Sequence, residues 1–259
     1  KHLEEKTMLK IRRFLEYHQC CSCGFEFLSQ NVMKINNKEY ICRNCRMENY
    51  YSTKNSAIQG KKTSISFSFE FETGSRNPEL YELQKYNFIG CSDGSIAGSE
   101  WKSPIYYNRK IFHNVCRKIN KFAKFVDRSC GTHLHVATDY KHLMEKYKNE
   151  LFQPILNEMK SNREQTIKFW GRYFGYYCEA TLQDRYRYNA FNTVSSVQTL
   201  EFRLLKFRNA EQYIRACDFC IDTTKYINAF IGREGFDSEQ AKKIGNIIAQ
   251  KYKEVVKNV

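Results

Sequence analysis

Proline is almost missing from this chain, with three in 259 residues, and glycine is sparse at twelve. That scarcity excludes collagen-like and Pro-rich extended molecules and leaves little room for long disordered linkers. No apolar run approaches the roughly 18 residues that a spanning helix needs, and the opening residues carry no signal-peptide pattern. A protein of the cytoplasm, with no membrane among its partners, is the expectation. Acidic residues are in the minority, 28 Asp+Glu against 42 Lys+Arg, for a net charge of +14. What the chain has in quantity is apolar and aromatic surface, 42% and 15% of residues, ample for a packed core.

The basic excess invites a phosphate partner, nucleotide or polynucleotide. It is spread and not gathered into a tail: residues 1–60 hold ten Lys+Arg against six Asp+Glu, leaving 32 against 22 beyond. Eleven cysteines, an odd number, argue against a disulfide framework and for a reducing compartment. Five of them fall within residues 20–45. There Cys20-x-x-Cys23 and Cys42-x-x-Cys45 stand eighteen residues apart, a spacing suited to a four-cysteine zinc site. Two short β-like runs around the polar "NNKE" would fold the second pair back beside the first, with Cys21 as an alternative ligand to Cys20. So small a module draws its folding energy largely from the metal. The turn-rich "STKNSAIQGKK" then reads as a linker. Residues 1–55 are expected to form an N-terminal helix and this zinc-ribbon-like module, and residues 56–259 a second domain.

That second domain opens with "TSISFSFEFET". Side chains alternate faces along a strand, so Ile65, Phe67, Phe69 and Phe71 share one face and Ser64, Ser66, Ser68, Glu70 and Glu72 the other. A half-exposed strand with its polar side in water explains this run by itself. The pattern recurs, however. In "CGTHLHVAT" Leu134 and Val136 alternate with His133 and His135. In "TLEFRLLKF" Leu200, Phe202 and Leu204 alternate with Glu201 and Arg203. Between them, "CSDGSIAGSEWKSP" places Asp93 in a D-G turn and then Glu100 and Lys102 on another alternating run. Carboxylates suit hard divalent cations, imidazole joins such a shell, and guanidinium clamps phosphate in bidentate fashion. The joint pattern predicts a lined cavity.

The spacers have helical periodicity. Residues 108–126 carry Ile111, Phe112, Val115, Ile119, Phe122, Ala123 and Val126 on a stripe opposite Arg117, Lys118, Lys121 and Lys124. Residues 139–159 form another helix, bent or restarted at Pro154. Asn209 caps a third, with Cys217 and Cys220 as core thiols, and Ser238 begins the last.

Taken together, "FEFE" (69–72), "DGSIAGSEWKSP" (93–104), "CGTHLHV" (130–136) and "LEFRLLKFRNAEQYIRA" (200–216) resemble the amidoligase family of bacteria and their phages, on the glutamine synthetase-like ligase fold. They span most of residues 63–231. The resemblance implies an α+β fold in which a curved, mainly antiparallel sheet packs against helices behind a four-cysteine zinc module. It implies an ATP-dependent ligase that joins a peptide, cell-wall or protein carboxylate to an amine through an acyl phosphate. By that resemblance Glu70, Glu72, His133 and Glu201 hold Mg2+ (or Mn2+), His135 lies near the phosphates, and Arg203 braces the transferring phosphoryl group. Glu100 is a further ligand or an amine-side carboxylate. The rim "FWGRYFGYYCEATLQDRYRYNAF" offers Arg172, Arg185 and Arg187 to phosphate or substrate carboxylate, and its tyrosines suggest a loop packing over ligand. No Walker loop is present, and this fold reads ATP through strand-borne residues instead. The scaffold also supports phosphotransferases, and the zinc module with the basic surface suits a macromolecular partner or, as a third reading, a nucleic-acid binder without catalysis.

Overall fold

The computed structural model describes residues 65–257 apart from 76, 92–97, 176–177, 185 and 195–196, together with four short strands between residues 17 and 42. The chain divides into two compact units, Lys1–Ser56 and Ala57–Val259.

In the first unit β1 (Tyr17–Gln19) pairs antiparallel with β2 (Glu26–Leu28), and β3 (Val32–Lys34) with β4 (Tyr40–Cys42), Val32 opposite Cys42. The "NNKE" segment that was expected to fold the chain back lies outside the described residues. The zinc ligands expected at Cys20, Cys23 and Cys45 lie outside the described residues, as does the side chain of Cys42.

The second unit is built on a six-stranded sheet: β5 (Phe67–Thr73), β6 (Ile89–Cys91), β7 (Ser99–Lys102), β8 (Thr132–Ala137), β9 (Phe191–Asn192) and β10 (Thr199–Phe202). The spatial order is β6-β7-β5-β8-β10-β9, and every neighbouring pair is antiparallel. With helices α1 (Arg109–Ile119), α2 (Lys141–Lys146), α3 (Lys148–Ser161), α4 (Arg163–Trp170), α5 (Ala210–Ile231) and α6 (Ser238–Val256), this makes an α+β unit. None of the described helices is long and apolar enough to cross a membrane.

One sheet face is the core. Phe67, Phe69 and Phe71 are almost wholly buried, each worth about 1.5–3 kcal/mol of transfer free energy. Phe67 and Phe69 meet Phe112 of α1 at ring-centroid distances of 5.2 and 5.8 Å, and Phe69 meets Tyr213 of α5 at 5.5 Å. Leu134, Val136, Leu200 and Phe202 continue this face. Asn108 caps α1, its Oδ1 accepting from the Lys110 and Ile111 amides, and Phe112, Cys116 and Ile119 turn inward at i, i+4 and i+7. Ile111, expected on the buried stripe, lies 58% exposed, one position off that row, and Cys116 takes the inward place. After Ile119 the helix tightens into a 3-10 turn, Asn120–Phe125. The basic side of this stretch is solvated and paired: Arg117 with Glu211, Lys121 with Glu82, Lys124 with Glu79.

The next helical stretch breaks at Tyr147, between α2 and α3, and not at Pro154, which lies inside α3. Proline has no N–H to give the carbonyl four residues back, here Glu150. Gly245 of α6 lies against that carbonyl, so close that an ideal Cβ on it would stand 2.1 Å from Glu150 O. The orphaned acceptor thus faces a residue with no side chain, and α3 continues through its proline. Asn209 caps α5 as expected, its Oδ1 accepting from the Gln212 amide at 2.9 Å. Cys217 and Cys220 are free, buried core thiols on that helix.

Candidate functional site

The other sheet face is polar, yet it is not in water. His133, His135, Glu72, Glu100, Glu201 and Arg203 are all buried, and Glu70 and Lys102 are mostly so. The half-exposed strand that "FSFEFET" suggests when read alone is therefore not what forms.

Antiparallel register gathers these residues from four adjacent strands. Glu70 at the centre of β5 stands between Lys102 of β7 and His133 of β8. Glu72 lies beside Glu100, and His135 has Ser68 on one side and Glu201 on the other. Lys102 Nζ bridges Glu70 Oε1 at 3.1 Å and Glu100 Oε1 at 3.0 Å. His133 Nδ1 lies 3.4 Å from Glu70 Oε2 and 3.5 Å from Glu201 Oε1, and its Nε2 lies 3.6 Å from Glu72 Oε1. Arg203 Nη1 pairs with Glu201 Oε1, while Asn192 Nδ2 donates to Glu201 Oε2 at 2.6 Å. The Gly131 amide donates to Glu72 Oε2.

One group has the geometry of a cation site. Glu70, His135 and Glu201 each offer a ligand atom, and these atoms lie within 4.8 Å of one another. His135 Nδ1 is 3.2 Å from Thr199 Oγ1, which fixes the ring, and its buried Nε2 has no hydrogen-bond partner among the described residues, with Glu70 Oε1 at 3.5 Å. An orphaned, buried imidazole nitrogen aimed at two carboxylates is what a metal-ligating histidine with its other nitrogen held in place looks like. Two carboxylates and one imidazole are a donor set for a divalent cation.

Charge points the same way. Glu70, Glu72, Glu100 and Glu201 stand on this face with Lys102 and Arg203, and Arg172 reaches its edge. Burial pushes the Glu70 carboxyl up, but the pull of His135 and the close approach of His133 and Lys102 outweigh it and hold Glu70 well below the usual carboxylate range. Glu201 is likewise lowered, burial being opposed by His135, Arg203 and His133. The two carboxylates at the centre of this face are thus held ionised by the positive groups around them.

The predicted arginines divide. Arg203 is on the face, and its guanidinium also lies over the Tyr188 ring, 5.6 Å from its centroid. Arg172 reaches the edge: its Nη1 and His133 Nε2 both crowd the position a Cβ on Gly131 would take, at 2.9 and 2.8 Å. Arg187 is exposed and stacks at 5.1 Å on Tyr188, the same ring that the Arg203 guanidinium covers. Arg185 and the D-G turn at Asp93 lie outside the described residues.

Several contributors carry no periodic signal in the sequence. Asn192 belongs to a strand of two residues, Thr199 opens β10, and Tyr188 sits on an irregular segment. Lys206, buried and donating to the Asp127 carbonyl, has its ammonium pushed down to about 8 by burial, with Arg208 and Arg172 adding to the effect. The one cue was the continuation of β10 into "RLLKF".

No protein-family model and no curated protein matches the chain. Among solved structures, one described as a "novel glutamine synthase homolog" overlaps 83% of this chain at 10% identity and a TM-score of 0.38. The overlap spans 66% of that structure's own length. A likeness at that level leaves the side-chain geometry to carry the functional reading.

Proposed function

We propose that the polar face of β7, β5, β8 and β10 is a divalent-cation site for phosphoryl transfer from ATP, in an enzyme that joins a carboxylate to an amine. The observation that carries this reading is the convergence of Glu70, His135 and Glu201 around an orphaned imidazole nitrogen, with Arg203 held beside them. The four-strand pattern of E-x-E, E-x-K, H-x-H and E-x-R, which resembles the amidoligases, supplies the choice of reaction.

In this reading Glu70, His135 and Glu201 hold Mg2+ or Mn2+, His135 replacing the Glu72 and His133 that the resemblance offered as ligands, and the ion when bound neutralises charge on the phosphates of ATP. The chain's own groups do the rest. Arg203, buried and braced by Glu201, presents a fixed guanidinium to the transferring phosphoryl group without reorganising during the reaction. Arg172, at the His133 edge, offers a second guanidinium to a phosphate or a substrate carboxylate. Burial of the face keeps water from an acyl phosphate until the amine arrives. Glu72, fixed by the Gly131 amide and beside His133, is placed to take the proton that the amine gives up. The zinc module is read as the grip on a macromolecular substrate, through Cys20 or Cys21, Cys23, Cys42 and Cys45.

Thermal unfolding with and without Mg-ATP tests this with no knowledge of the substrates. Ligand at about a hundred times its Kd adds roughly 2.7 kcal/mol to the folded state, and each kcal/mol is worth about 2–4 °C in a protein of this size. Glu70→Gln and Glu201→Gln should fold and lose most of the magnesium-dependent shift. A parent protein that shows no shift would sink the reading.

A further inference from the structure

Lys102 sits where a second cation would. Its ammonium bridges Glu70 Oε1 at 3.1 Å and Glu100 Oε1 at 3.0 Å, while the same Glu70 belongs to the Glu70–His135–Glu201 group. Glu72 lies directly beside Glu100 across β5 and β7. Lys102 is thus the link between Glu70 of β5 and Glu100 of β7. Such an arrangement, with one carboxylate shared between two cation positions, is how two-metal sites are built, the ions bridged at about 3.5–4 Å.

We propose that this is a one-metal site in which the Lys102 ammonium permanently occupies the second cation position, so that one of the two cations is carried covalently by the chain. An ammonium is a compact, strongly hydrated point charge and can fill the place of a hard cation between carboxylate oxygens. It cannot, however, coordinate water or a phosphate oxygen as a metal does. The Glu70–Glu100 position therefore holds charge and geometry, and the Glu70–His135–Glu201 position alone exchanges its ion with solvent. The strand geometry enforces this: Lys102 and Glu100 are i and i+2 on β7, on one face, and Glu70 is the cross-strand partner of Lys102.

This inference rests on the cation reading above, and counting ions separates the two. Mn2+ titration of the full, zinc-loaded chain, followed by calorimetry and by the paramagnetic signal of the free ion, should give one bound ion per chain. Lys102→Ala and Lys102→Gln should each bind a second ion, Lys102→Arg should not, and adding Glu100→Gln to Lys102→Ala should remove the second ion while keeping the first. Circular dichroism checks that each variant is folded. Two ions on the parent, or a folded Lys102→Ala that still takes only one, would overturn the proposal. No ion on the parent would overturn the cation reading itself and this proposal with it.

Discussion

At Gly131 the backbone runs so close to the polar face that a single added carbon would stand 2.8 Å from His133 Nε2 and 2.9 Å from Arg172 Nη1. Both neighbours are side-chain ends and can give way, so Gly131→Ala is expected to fold. It should displace the imidazole and the guanidinium together, and weaken Mn2+ and Mg-ATP binding with little loss of thermal stability. Unchanged affinity for both ligands would show that neither group is in place for them. Such a residue is silent in the sequence, where it is one glycine before a strand. Glu70, Glu72, His133, His135, Glu201 and Arg203 were legible for the opposite reason, since period-two alternation states which face a side chain takes. It does not state what surrounds it, which is why Asn192, Tyr188 and Lys206 went unread.

Buried thiols set a second residue-scale expectation. Burial raises Cys116, Cys217 and Cys220 well above the ordinary thiol value, and the Tyr213 hydroxyl is raised by burial and by the neighbouring thiols. A group whose folded-state pKa is raised contributes stability that is complete below its unfolded pKa, about 8.5 for a thiol, and is lost as pH climbs beyond it. Urea unfolding should therefore show stability falling above about pH 8.5, each thiol contributing up to about 1.36 kcal/mol per pH unit. Lys206, lowered to about 8, opposes this: its folded form holds fewer protons than the unfolded one between about pH 8 and 10.4, so stability rises there. Lys206→Met should steepen the alkaline loss and Cys220→Ala should shallow it. Equal slopes in all three proteins would refute the assignment.

Among the elements, α3 and α6 depend on a pairing of deletions, a missing amide at Pro154 and a missing side chain at Gly245. Alanine in a helix interior is ordinarily better than glycine by about 1 kcal/mol. Here the added carbon meets a backbone oxygen at 2.1 Å, which no side-chain motion relieves. Overpacking of that kind costs about 1–3 kcal/mol or more, so the clash wins and Gly245→Ala should lower the urea midpoint. A raised midpoint would mean the two helices are further apart than the structure has them. The helices themselves were readable where a cap states the start, as Asn209 does for α5. The break at Tyr147 was not, because no Gly, Pro or capping side chain marks it, whereas Pro154 gave a strong local signal that tertiary packing overrode.

On the scale of the whole molecule, the net charge of +14 is what remains after every acid is matched with a base. Locally, Arg117, Lys121 and Lys124 answer Glu211 on α5 and Glu82 and Glu79 on the 3-10 helix Pro78–Tyr86. Alternating strands and helical spacers were legible in the sequence, and the α+β class with a mainly antiparallel sheet was what the resemblance implied. The strand order did not, since adjacency in space follows neither sequence order nor any motif.

That order has a further meaning for the chemistry. Glu70, His135 and Glu201 come from the middle, the inner neighbour and the penultimate strand of the sheet, and some 130 residues of chain lie between the first and the last. No contiguous stretch of the polypeptide contains the set. A fragment released by proteolysis or by premature termination anywhere before β10 would carry its carboxylates and imidazoles as separate, unremarkable side chains. The candidate cation site is thus assembled only once β10 has joined the sheet.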